Sequence, residues 1–252
     1  VVDGTVRCIA VSDDGVVYIG GDLTNAGGQQ RNHIAALDTN SGEATAFDPG
    51  ADGTVHAMTI HNGVLHFGGA FSTVAGQPRL NLAAADLSTG TLNAWAPGAD
   101  ATVLCMTAGD DVLYAGGDFT TAGGEAHAYI AAIAPSTGSV LPWVTGTDGT
   151  VRTVHFAPGS LYIGGSFSNI NGLPRNNVAA LEATTGVLRP WISDVSGTVH
   201  SIMLGEEFFH LGGWFPTVDG VVRGNHAAYG TLAMGMDPLG TTFCAGDVID
   251  IP

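Results

Sequence analysis

There is no lysine in this chain of 252 residues, and seven arginines face 23 carboxylates for a formal charge of −16. A surface that acidic repels phosphate backbones and anionic headgroups, which argues against nucleic-acid partners and electrostatic adhesion to membranes. Cysteine is scarce too: Cys8, Cys105 and Cys244 include no Cys-x-x-Cys spacing and no Cys with a positioned His. Neither a disulfide framework nor thiol or thiolate-metal chemistry is expected from them, and Cys8 and Cys105 read as small buried side chains. Hydrophobic residues make up 45% of the chain, but they come in short runs, and no stretch of about 18 apolar residues exists to span a bilayer. Ser-His-Asp, His-Glu-x-x-His and phosphate-loop patterns are also missing.

What the chain has instead is a period. Gly-Gly pairs stand at Gly20/Gly21, Gly68/Gly69, Gly116/Gly117, Gly164/Gly165 and Gly212/Gly213, a constant step of 48 residues, and Ala-Ala pairs keep the same step from Ala35/Ala36 to Ala227/Ala228. A unit of this length with several short β-runs is the signature of a propeller blade, since one small sheet cannot bury both faces without neighbours. The expectation is an all-β chain: a single five-bladed β-propeller of four antiparallel strands per blade, with repeats at about 1–51, 52–99, 100–147, 148–195 and 196–252. In repeat two the innermost strand runs from Val55 to Ile60, and an Asn62-Gly63 turn leads to a second strand ending at Gly68. Asn-Gly between apolar runs is a strong hairpin signal. A long loop then leads to a third strand through Ala83-Ala84, a Ser88-Thr89-Gly90 turn and an outer strand ending at Trp95. The other inner strands are expected near Val6–Val11, Val103–Ala108, Val151–Phe156 and Val199–Leu204.

Packing explains the repeated small residues. Ala-Ala lets sheets approach, Gly-Gly permits a bulge where a Cβ would clash, and Phe47, Trp95, Trp143 and Trp191 plug the space between blades. The fifth unit is irregular, with Met234 in place of the turn glycine and Leu239 in place of the aromatic. The chain opens on Val1 at an inner strand, as an excised piece of a longer polypeptide would, and Gly246 to Ile251 sits where a sixth inner strand would begin, either closing a five-blade ring or leaving towards another domain.

The segments Tyr18 to Ala35 and His66 to Ala83 carry a Gly-Gly-x-Phe-x-x-x-x-Gly-x-x-Arg core, with Leu23 in the Phe place of the first. This resembles the bacterial propeller repeats sometimes called delta-60 repeats, and the likeness covers nearly all of the chain. The resemblance implies a secreted, cell-surface or phage-tail (virion) protein; it adds a compartment and no chemistry.

Three constellations are candidates for function. Asp3, Asp52, Asp100 and Asp148 precede the inner strands, with Ser196 breaking the set, and are expected at one mouth of a central channel. That placement suits Ca2+ or sugar hydroxyls, against the plainer reading of Asp before Gly as turn chemistry; no other cofactor and no metal ligand set is expected. Arg31, Arg79, Arg175 and Arg223 recur once per repeat, His127 replacing the third, and are expected to pair with those aspartates, fixing the long loop to the blade, with ligand contact as the alternative. The long loops are rich in Asn, Gln, Thr and Gly; Asn81, Asn177 and Asn225 share one register position, while Asp22, Asp118 and the outlier Trp214 follow the Gly-Gly pairs. These loop residues are the candidate ligand contacts.

Catalysis needs unequal residues at one centre, and the carboxylates at the expected mouth are repeat-equivalent; the non-repeated ones, Asp13, Asp110, Asp111, Glu206 and Glu207, fall in hairpins on the opposite face. The reading is therefore a non-catalytic binding or structural module that engages a protein or glycan surface, or other domains or subunits of a larger assembly. A multivalent lectin and a five-bladed glycosidase are the alternatives.

Overall fold

A computed structural model describes residues 1–143, 145–205 and 208–230. Regular structure among them is β throughout, and no helix is long and apolar enough to cross a membrane. The chain divides into two compact units, Val1–Pro142 and Trp143–Pro252.

The first unit holds three copies of one motif. In each, an inner strand (Val6–Val11, Val55–His61, Val103–Ala108) pairs antiparallel with a second strand (Val17–Gly21, Val64–Gly69, Leu113–Gly117), which pairs with a third (Ile34–Leu37, Leu82–Asp86, Ile130–Ile133). The second unit holds two more copies, on inner strands Val151–Ala157 and Thr198–Leu204. These inner strands match the predicted runs to within a residue at either end, because alternation of apolar and polar side chains is a local signal.

Two expectations are corrected here. The fourth strand is reduced to single bridges, Leu37 with Ala44, Ala85 with Leu92, Ile133 with Val140 and Leu181 with Leu188. After the Thr-Gly turn the chain needs only one pairing before it dives to seat its aromatic. The long loop, in turn, is not irregular: it contains a two-residue hairpin such as Thr73–Val74 against Gln77–Pro78. Each sheet is thus three strands with a small capping hairpin. The irregular end around Met234 and Leu239, Cys244, the strand expected at Gly246 to Ile251, and Glu206 and Glu207 lie outside the described residues.

The two glycines of each pair do different work. Every inner strand bulges one residue in, between Val55 and Ala57 for example, and a Cβ on Gly69 opposite that bulge would run into the Thr54 carbonyl oxygen; Gly21, Gly117, Gly165 and Gly213 meet Thr5, Thr102, Thr150 and Thr198 in the same way. The first glycine instead faces the next sheet. A Cβ on Gly20 would lie 2.7 Å from Val55 Cγ1, and one on Gly164 would lie 2.6 Å from Val199 Cγ1. Val55, Val103, Val151 and Val199 are fully buried and the Ala-Ala pairs nearly so, each valine contributing roughly 1.5–3 kcal/mol of burial.

The aromatic plugs fill the same seams. Trp95 Nε1 donates to the Ala134 carbonyl of the following repeat at 3.1 Å and its ring meets His66 edge-on at 4.8 Å. In the second unit Trp143 Nε1 donates to Ala183 O at 2.9 Å, and Trp191 packs among Tyr162, Phe209 and Tyr229. Burial raises the thiols of Cys105 and Cys8, the latter to about 12, so neither is a nucleophile at neutral pH.

Candidate functional site

Asp before the inner strand is a fixed tie within its repeat. Asp3 accepts the backbone N–H of Thr24 and Asn25 at 2.9 and 2.8 Å on Oδ1, and Thr24 Oγ1 and Asn25 Nδ2 at 2.6 and 2.7 Å on Oδ2. Asp52 repeats this with Ser72 and Thr73, Asp100 with Thr120 and Thr121, and Asp148 with Ser168 and Asn169. Ser196 takes the place with one hydroxyl, accepting from Thr217 N at 3.0 Å and donating to Thr217 O at 2.9 Å. Each tie staples the approach to an inner strand onto the capping hairpin of its own repeat. The donors hold the carboxyls well below their usual range: the Asn25 and Asn169 amides lead for Asp3 and Asp148, and backbone N–H from Thr121 holds Asp100 at about 2. At Asp52 desolvation opposes the shift, and the Ser72 and Thr73 donors outweigh it. Among the described residues no group of three His, Cys, Asp or Glu is disposed around a common metal position.

Among the described residues Arg31, Arg79 and Arg175 bond elsewhere than to these aspartates, which corrects the expected pairing for them. Arg31 donates to Gln30 O at 2.7 Å and Thr45 O at 2.8 Å, Arg79 to Pro78 O and Asn93 O at 2.8 Å each, and Arg175 to Pro174 O at 2.7 Å. Arg31 adds an ion pair with Asp48 at 3.4 Å, outside the ring set. The fork ties the capping hairpin to the outer segment through main-chain carbonyls. The Asp carboxylates are already saturated by closer N–H and O–H donors, so nothing draws the guanidinium across. Arg223 follows the same backbone course, its N–H bonded to Pro216 O.

The asparagine register is also part of the fold rather than a row of free amides. His33, Asn81, Tyr129, Asn177 and Asn225 all sit at φ between 61° and 76°, the left-handed region Asn tolerates best among side-chain-bearing residues. Asn81 Oδ1 accepts from Phe71 N at 3.2 Å and its Nδ2 donates to Ala99 O at 3.0 Å; Asn177 does the same with Phe167 N and Val195 O, and Asn225 accepts from Phe215 N at 3.0 Å. Asp22 is similarly committed: it pairs with Arg7 at 2.6 Å and accepts from the Thr54 hydroxyl of the next repeat. Asp118 is exposed at the equivalent position, and its charge acts on His56 together with those of Arg7 and Asp22.

Trp214 is the exception. It pairs with Thr198 at the end of its strand, yet 76% of it faces solvent. Its ring stands edge-on to His200 at 4.7 Å. His200 belongs to a column that sequence reasoning passed over, the side chain following the first inner-strand valine: Arg7, His56, Leu104, Arg152 and His200. The same 48-residue step marks the position, but its residue type changes from repeat to repeat, so no recurring identity signals it.

Residues 13–41 and 159–184 match a family described as "Domain of unknown function (DUF5122) beta-propeller". Those spans run from the first hairpin to the third strand of repeats one and four, and the chain is built of β-propeller-type repeats. Among solved structures, the chain is similar to "computationally designed Ika8 protein", at 14% identity over 92% of this chain and 70% of that one, TM-score 0.59. It is similar also to a chain of a "Mitotic Checkpoint Complex", at 13% identity over 93% of this chain and 65% of the other, TM-score 0.58. At such identities the likeness is one of fold alone. No curated protein matches.

Proposed function

We propose that this chain is a non-catalytic binding or structural module of five blade-type repeats, from a secreted, cell-surface or virion protein, engaging a protein or glycan surface. The observation that carries the reading is the contrast between committed and uncommitted polar groups. The repeated Asp, Asn and Arg positions are bound into the repeats, with the carboxyls driven towards ionisation rather than towards the raised pKa of a general acid. Trp214, by contrast, stands exposed where other repeats carry Asp22, Ala70, Asp118 and Ser166. A rigid scaffold offering one aromatic is suited to recognition.

The charge of −16 supports partners other than nucleic acid. No cofactor is proposed. In the lectin form of this reading, binding is carried by unequal residues near Trp214 rather than by several equivalent amides, since Asn81 and Asn177 have both ends of their amides engaged. Screening the whole chain on glycan and protein arrays, beside a panel of chromogenic glycosides, tests the proposal. Array binding with no turnover is expected; hydrolysis of any glycoside would replace the reading with a glycosidase.

A further inference from the structure

Arginine at the inner-strand column meets two different fates. Arg7 in repeat one is neutralised by Asp22, the residue that follows the Gly-Gly pair, at 2.6 Å. Arg152 occupies the same column position in repeat four, but there the residue after Gly-Gly is Ser166. The Ser166 hydroxyl is turned instead to Thr198 Oγ1 at 2.9 Å. Arg152 consequently has no carboxylate and no hydrogen-bond acceptor among the described residues, and its Nε is shielded from solvent without a partner. Arg31, Arg79, Arg175 and Arg189 share the unpartnered Nε, but each donates a terminal nitrogen to a main-chain carbonyl, and Arg152 does not; its fork is left to pair with an anion from outside.

The neighbours of Arg152 say what kind of anion fits. The inner strands of repeats four and five pack side by side, and the Arg152 charge is felt at His200, whose ring meets Trp214. Thr198, which holds the Ser166 hydroxyl, is the strand partner of Trp214. A fork-shaped cation, two hydroxyls and an exposed indole therefore lie on one end of the second unit. An indole face takes the C–H side of a pyranose ring, hydroxyls take its hydroxyls, and a guanidinium takes a carboxylate in two parallel bonds.

Resting on the reading of the chain as a binding module, we infer that Arg152, Ser166, Thr198, His200 and Trp214 form a site for a carboxylate-bearing sugar, a uronic-acid residue of a glycan. The carboxylate occupies the place that Asp22 fills beside Arg7, and the ring lies against Trp214.

Methyl β-D-glucuronide and methyl β-D-glucoside differ only in the carboxylate, and titrating each into the whole chain by NMR, with indole shifts as the readout, isolates its effect. The glucuronide is expected to bind about tenfold more tightly, the scale of one charge-assisted bidentate contact. Arg152→Gln should bring the two ligands to parity, and Trp214→Ala should remove both. Ser166→Asp supplies the internal partner that repeat one has and should erase the preference, so that the glucuronide binds no more tightly than the glucoside. Equal binding of both ligands to the wild type, no binding of either, or glucuronide binding indifferent to Arg152→Gln and Ser166→Asp overturns the inference. Array binding to a protein or neutral glycan surface would then leave the module reading standing, whereas glycoside hydrolysis would remove that reading whatever the carboxylate preference.

Discussion

Trp95 and Trp214 make a matched test of the packing argument, because one residue type occupies two environments in a single chain. Trp95 is 3% exposed, wedged between repeats two and three with its Nε1 on the Ala134 carbonyl and its ring against His66. Replacing it with alanine removes the whole plug and the indole hydrogen bond to the Ala134 carbonyl, which keeps only the Gly138 N–H at 2.9 Å. Buried Trp→Ala substitutions cost about 3–5 kcal/mol. With an m-value of about 3 kcal/mol/M in urea, 4 kcal/mol moves the unfolding midpoint down by roughly 1.3 M. Trp95→Phe keeps most of the packing and loses the hydrogen bond, for which about 1–2 kcal/mol is expected. Trp214→Ala, at a residue 76% exposed, should stay within about 0.5 kcal/mol, a midpoint shift under ~0.2 M. Urea titrations followed by far-UV circular dichroism measure all three. A Trp95→Ala midpoint within about 0.3 M of wild type, or a Trp214→Ala loss as large as that of Trp95→Ala, would refute the assignment of one tryptophan to the seam and the other to the surface.

Other consequences can be measured the same way. Gly69→Ala forces a Cβ onto the Thr54 carbonyl and should cost at least about 2 kcal/mol in urea or calorimetric unfolding, because backbone and not a flexible side chain must yield. Asn177→Ala loses the bonds to Phe167 N and Val195 O and a residue suited to φ 66°; about 2–3 kcal/mol is expected, with Asn177→Gly recovering only the conformational part. The Asp ties set a pH dependence whose sign is fixed: folded carboxyls are depressed, Asp100 to about 2, so their stabilisation is complete above the unfolded pKa of about 3.9 and is lost as pH falls from there through the folded values. Urea midpoints between pH 6 and pH 2.5 should fall in that window and fall less steeply in Asp100→Asn; a midpoint independent of pH would count against the ties.

The repeat, its length, the inner strands and the Asn62-Gly63 hairpin were all legible in the chain, because each rests on a local pattern. Apolar alternation marks a strand wherever the strand sits, and Asn62 and Gly63 take φ values of 48° and 75°, as such a turn demands. Phe47, Trp95 and Trp143 were equally legible as plugs, since a buried aromatic once per period has few other uses. The outer strand was over-read: Trp95 marks where the chain must arrive, not that it stays extended until it does.

What periodicity could not decide was which repeated groups meet. Asp52, Arg79 and Asn81 recur with the same step, so spacing alone allowed the arginine to pair with the aspartate and left the amide for a ligand. Only the folded repeat shows Asp52 taken by Ser72 and Thr73, Arg79 by backbone carbonyls and Asn81 by Phe71 and Ala99, because partner choice depends on distances set by the capping hairpin. The same holds for Arg7 and Arg152. One sequence column contains both, and only the tertiary structure tells the neutralised cation from the unpaired one, since a charge's partner is a neighbour in space and the residue supplying it lies 15 positions away along the chain.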